Sequence, residues 1–178
     1  MNYCRACITR IAYLFASFVA LGITGCAGPD PDPGSGPSFY LSLAQAGVTV
    51  DAAAASSMVS GYRRNNGLTA VTIDSALMRL AEQQARAMAE RDKVDHNVSR
   101  PFPERLKRSG YEAKAGAENI GAGYHTLAEA FSGWRDSPPH RANMLLKGAT
   151  RLGIAAVYAP NSKYKVFWSM ILAAPTGG

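Results

Sequence analysis

The sequence predicts an α+β domain, and two observations predict it: helical patterns come first, from Asp51 onward, and a β-hairpin pattern comes last. Asp51 to Arg64 is Ala-rich, opens on an acidic cap and stops at Asn65-Asn66-Gly67. The next helix opens at Asp74, a good N-cap, and carries Leu77, Leu80, Ala81, Ala85 and Met88 on one face. Shorter helices are predicted from Pro103 to Arg108, ending at Ser109-Gly110, and from Thr126 through Trp134. Arg151 to Tyr158 and Lys163 to Leu172 are rich in β-branched and aromatic residues around Ala159-Pro160-Asn161-Ser162, which predicts two strands and a four-residue loop. A further short strand fits Ala117 to Ile120.

The amino terminus reads as an export signal. Arg5 and Arg10 precede an apolar run from Ile11 to Thr24, shorter than the ~20 residues a membrane-spanning helix needs. Ile23-Thr24-Gly25-Cys26 resembles the lipobox of bacterial lipoproteins, which implies cleavage after residue 25 and lipid on Cys26. Each buried lipid methylene adds roughly 0.8 kcal/mol of membrane affinity, so two or more chains anchor stably. Ala27, where an Asp would hold such a protein back, implies an outer-membrane or periplasmic-face destination. The competing reading is a plain secretory signal. Residues 26–47, with Ala27-Gly-Pro-Asp-Pro-Asp-Pro-Gly-Ser-Gly-Pro-Ser38 at their head, read as a tether too poor in apolar residues to bury a core. The globular domain is expected over 48–174, with 175–178 as a tail.

Cys4 and Cys7 fall in the charged region of the signal, and without a βαβ pattern around them their spacing does not make a redox pair. The domain is therefore expected to fold by burial alone, which its 47% hydrophobic content allows. Formal charge is +6, and without Arg5 and Arg10 it is +4. That excess suits anionic surfaces such as lipid headgroups or wall polymers. Its scattered Lys and Arg, without interleaved aromatics, argue against nucleic acid.

The candidate chemistry lies in two settings. In Ser137-Pro138-Pro139-His140-Arg141-Ala142-Asn143-Met144, Ser137 is placed to cap a helix whose first position is Pro138. His140 then lies in the first turn, where the helix dipole disfavours imidazolium and keeps the ring able to accept a proton or a metal. In Gly116-Ala117-Glu118-Asn119-Ile120-Gly121-Ala122-Gly123, a carboxylate precedes a glycine-rich turn that lacks the spacing of a phosphate loop. Ser137 and His140 as nucleophile and base are disfavoured, since Ser137 is assigned to capping and no G-x-S-x-G elbow is present. Trp134 and Trp168 read as core residues, Tyr124 and His125 as the rim of the turn, and Asn119, Arg141 and Asn143 as hydrogen-bonding wall residues.

Taken in order, Asn65-Asn66-Gly67-Leu68, Leu77 with Ala81 and Ala85, Met88-Ala89-Glu90-Arg91, His96, Arg105 with Gly110-Tyr111, Glu118-Asn119-Ile120, Trp134, Ser137 to Leu145, Gly153 and Trp168 resemble the CAP superfamily. The superfamily is named for cysteine-rich secretory proteins, antigen 5 and pathogenesis-related 1 proteins, and the match is to its disulfide-free bacterial form. The resemblance implies a three-layer α-β-α sandwich with a small central antiparallel sheet and a cleft lined by two His and acidic residues. By position these are His96, His140 and Glu118. Where animal and plant forms carry a second glutamate this chain has Ser137, and Glu129 is the other candidate for that role.

Three functions compete on these residues. One is a binding module whose cleft, lined by His96, Glu118, Asn119, Glu129, Ser137 and His140, takes a lipid, peptide or wall fragment. Another is a metal-assisted hydrolase, with His96 and His140 holding zinc and Glu118 as base. The third is a structural envelope protein. No H-x-x-x-H spacing sets the ligands on one helix, so any zinc site depends on the fold.

Overall fold

The computed structural model describes residues 36–177. The expected signal segment, Cys26 and the Pro-rich head of the tether lie outside the described residues.

Helix α1 (Ala52–Asn65) starts where the Asp51 side chain accepts from Ala54 N, 3.0 Å away. Helix α2 (Ser75–Glu90) is capped by Asp74 Oδ1, which accepts from Ala76 N and Leu77 N. Helix α3 spans Phe102–Arg108, α4 spans Leu127–Asp136 and α5 spans Pro138–Met144. Strands β1 (Thr72–Ile73), β2 (Ala113–Ala122), β3 (Arg151–Tyr158) and β4 (Val166–Pro175) form one sheet in the order β1-β3-β4-β2. The β2–β4 and β3–β4 pairs are antiparallel, whereas two-residue β1 runs parallel to β3, a departure from the all-antiparallel sheet expected.

Strand β4 has helices on both sides, and its side chains alternate between them. Trp168, Met170 and Leu172 enter a core with Val59 of α1, Trp134 of α4 and Met144 of α5. Ile171 and Ala173 meet Leu77, Leu80 and Ala81 of α2. The result is the three-layer α+β sandwich. Trp134 and Trp168 are buried edge-to-face, 6.2 Å between centroids, and each indole N–H donates to a carbonyl, of Ile120 and Tyr124 respectively.

Several boundaries differ from the sequence reading, each for a local reason. The hairpin loop runs from Ala159 through Lys165, longer than the four residues expected, and β4 starts at Val166 instead of Lys163. Ser162 Oγ accepts from Tyr164 N and contacts Asp92, and Lys165 takes φ +62°, so local bonding holds this segment off the ladder. Strand β2 is longer than Ala117 to Ile120 and takes in Gly121, because β4 offers partners along its whole length. The ordered domain also begins before residue 48: Leu43 is buried and its N–H donates to His125 O at 2.7 Å, while Ser38 Oγ donates to Asp51. Tyr124, expected at the rim, packs against the core beside Gly121 and Gly133.

Buried Arg63 joins α1 to the segment leading into β3. Its guanidinium donates to the carbonyls of Thr69, Met144, Leu146 and Ala149 at 2.8–2.9 Å, satisfying backbone groups that would otherwise be buried unpaired.

The approach of α2 to the sheet depends on Gly153. A Cβ there would lie inside van der Waals distance of the Leu77 carbonyl and 2.6 Å from Met78 N, which is backbone and cannot swing aside. Gly153→Ala is predicted to lower stability by roughly 2–4 kcal/mol, read as a lower denaturant midpoint at unchanged slope. A loss below about 0.5 kcal/mol would show that α2 is not held this closely.

Candidate functional site at the free edge of strand β2

Because β2 is an edge strand, groups from both helical layers can meet around its unpaired side. Glu118 lies on the α2–α3 face, since its cross-strand partner is Ile171, and the adjacent Asn119 lies on the α5 face opposite Met170.

The Glu118 side chain is 1% exposed and fully engaged. Arg105 of α3, itself buried, donates from Nη2 to Oε1 at 2.9 Å and to Oε2 at 2.8 Å. Ser169 Oγ lies 3.4 Å from Oε1. On Oε2 sits His96 Nδ1 at 2.8 Å. A carboxylate only accepts, so neutral His96 carries its hydrogen on Nδ1, leaving Nε2 as an acceptor. Arg105 is fixed further by Nε donating to Arg100 O at 2.9 Å and by stacking 5.5 Å from the Phe102 ring centroid.

On the other face, Asn119 Nδ2 donates to His140 O at 3.0 Å, and Asn143 Nδ2 donates to Asn119 Oδ1 at 2.9 Å and to Glu118 O at 3.1 Å. These bonds tie both ends of α5 to β2. Ser137 occupies the N-cap position of α5, but its hydroxyl caps nothing. It lies 2.9 Å from His140 Nδ1 instead. The sequence reading of Ser137 as a side-chain cap is therefore corrected: backbone placement and Pro138 start the helix, and the hydroxyl is free to orient the ring. Among the described residues, Nδ1 is the hydrogen-bonded nitrogen in both rings.

Glu129 does not join the cleft. Its carboxylate accepts from His125 N and Thr126 N at the start of α4 while Thr126 Oγ1 accepts from Glu129 N, a reciprocal capping box that consumes it as a helix-start residue. Its neighbour His125 is exposed. Arg105, by contrast, had no chemical role in the sequence reading. Its signal was positional: with Phe102 and Leu106 at three-before and one-after spacing, it occupies the stripe of α3 that periodicity assigns to the interior.

The zinc reading fits this donor set poorly. Catalytic zinc takes three protein ligands, and among the described residues no group of three His, Cys, Asp or Glu is gathered as a metal site. Both Glu118 oxygens already face a guanidinium, whose charge also opposes a nearby cation.

A family model for the cysteine-rich secretory protein family, CAP, matches residues 57–172. The chain belongs to the CAP family. It is 30% identical over 103 residues to uncharacterized protein YkwD of Bacillus subtilis (strain 168), covering 56% of this chain but only 40% of that relative. Among solved structures it is similar to an outer surface protein from Borrelia burgdorferi, with TM-score 0.63, 16% identity, and coverage of 73% of this chain and 99% of that one. It is also similar to an extracellular protein containing an SCP domain from Bacillus anthracis str. Ames, with TM-score 0.59 and 21% identity over 68% of this chain and 39% of that one. This CAP chain thus spans well under half of two of these proteins, and at such identities the structures speak for the fold alone.

In this CAP domain, burial and the charge of nearby His96 hold the half-buried His140 below its ordinary value of 6.5. The unfolded chain then takes up the proton first as pH falls. The corresponding stability is complete above pH 6.5 and declines as pH drops from there toward the lower folded value. His140→Gln is predicted to flatten that part of the stability–pH curve, measured by denaturant unfolding in a pH series. An unchanged slope would place the acid sensitivity elsewhere.

Proposed function

We propose that this CAP chain is an exported, envelope-anchored binding protein whose cleft, at the free edge of β2, receives a lipid, peptide or wall fragment through the imidazoles of His96 and His140. The observation that carries this reading is that each ring has Nδ1 fixed, by Glu118 or by Ser137, which sets its orientation and leaves Nε2 for a partner. Fixed polar groups favour recognition because little side-chain freedom is lost on binding. Export is supported by the signal-like amino terminus and by relatives described as extracellular or as an outer surface protein. The lipobox-like Cys26 would supply the anchor, and the Pro-rich segment after it the reach.

A binding role suits these residues better than metal-assisted hydrolysis. A general base needs an oxygen free to take a proton from substrate, and both oxygens of Glu118 are held by Arg105.

The test is titration of the full-length chain in detergent with three probes separately: a muropeptide, a short peptide and a short-chain phospholipid. The imidazole resonances of His96 and His140 are followed by NMR. Saturable shifts of both rings with one probe, and affinity lowered about tenfold or more in His96→Ala/His140→Ala, are expected. No saturable shift with any probe would overturn the proposal.

A further inference from the structure

A recess lies between α2 and α3, bordered by Ser99 and Arg100 of the segment that joins them. It has a volume of about 390 Å³ and is lined by Arg79, Arg100, Arg105 and Arg108, with the hydroxyl residues Ser99 and Ser109. The acids that pair with these arginines are Glu104, 2.9 Å from Arg100 and 3.6 Å from Arg108, and Glu118 on Arg105. Four guanidiniums against two carboxylates leave an excess of two positive charges, and Arg79 has no ion pair among the described residues. Arg105 is 7% exposed, and its Nη1 is buried with no hydrogen-bond partner among the described residues. A buried guanidinium contributes its positive charge to the recess it borders, and anionic oxygens are the ligands such a charge favours.

We propose that this recess binds a phosphate monoester group, with the exposed Arg79 and Arg108 as its clamp and the charge of Arg105 behind them. Guanidinium forks match phosphate oxygens in pairs, and a dianion neutralises the local excess. The volume leaves room for the group that carries the phosphate. This site does not depend on the ligand assigned to the cleft, but it shares a residue with it. Arg105 presents Nη2 to Glu118 and through it meets His96, so occupancy on one side bears on the other.

The experiment is calorimetric titration of the full-length chain in detergent with inorganic phosphate, sn-glycerol 3-phosphate and dihexanoyl phosphatidic acid, at fixed chloride. Saturable binding of one equivalent is expected, weakened about tenfold or more by Arg79→Gln/Arg108→Gln. Both residues are exposed, so an unchanged melting curve is expected alongside. Arg86→Gln, on α2 but paired with Glu82 and outside the recess, is expected to bind as the unaltered chain does. Tighter binding of the phosphatidic acid than of the other two would identify a lipid headgroup as the source. Equal binding of all three would identify a free phosphate or soluble phosphate ester. The proposal is overturned if none of the three binds saturably, or if Arg86→Gln weakens binding as much as the double variant does. Because the readout is phosphate affinity, a failure here leaves the imidazole cleft untouched, and a failure there leaves this recess untouched.

Discussion

The buried pair of Arg105 and Glu118 is the contact on which the site depends. It bonds α3 to the edge strand β2, fixes the face of that strand on which the carboxylate stands, and through Oε2 sets the orientation of His96. Two charges removed from water stabilise a fold only weakly as a pair, but losing either partner strands the other, at roughly 3–5 kcal/mol. Such a pair is therefore better understood as specifying an arrangement. Here it gives an exposed loop histidine a fixed ring and hydrogen position.

The opposite layer solves the same problem with neutral groups. Asn119 and Asn143 lash α5 to β2, and Ser137 turns its hydroxyl to His140. The two imidazoles are thus held from different layers beside β2, which has no strand on its outer side. Helix α2, seated through Gly153, fixes the sheet against which both layers are measured.

Much of this was legible in the sequence because periodicity and caps are local. Asp74, the Leu77-to-Met88 stripe and Pro138 state their helices within a few residues. The β3 segment states its strand by β-branched and aromatic content, and the ordered motif set states the CAP family. What was not legible depends on contacts between distant residues. A carboxylate such as Glu129 looks alike in a capping box or a cleft until the conformation of the preceding loop is known. Ser137 looks like a cap until His140 is seen to take its hydroxyl. Arg63 and Arg105 each occupy an interior stripe, yet no local pattern says which carbonyls or which carboxylate will meet them. The start of the hairpin strand was misplaced because Asp92, far away in sequence, holds Ser162 in the loop.

Glu118, on this view, orients His96 and does not act as a free base. The most direct test is the nitrogen chemical shifts of the His96 ring in the full-length chain at about pH 8, where an ordinary imidazole is neutral. Nδ1 is predicted to bear the hydrogen, and Nε2 to lack it. A ring protonated on Nε2 instead would contradict this, since Glu118 would then have no hydrogen to accept from Nδ1.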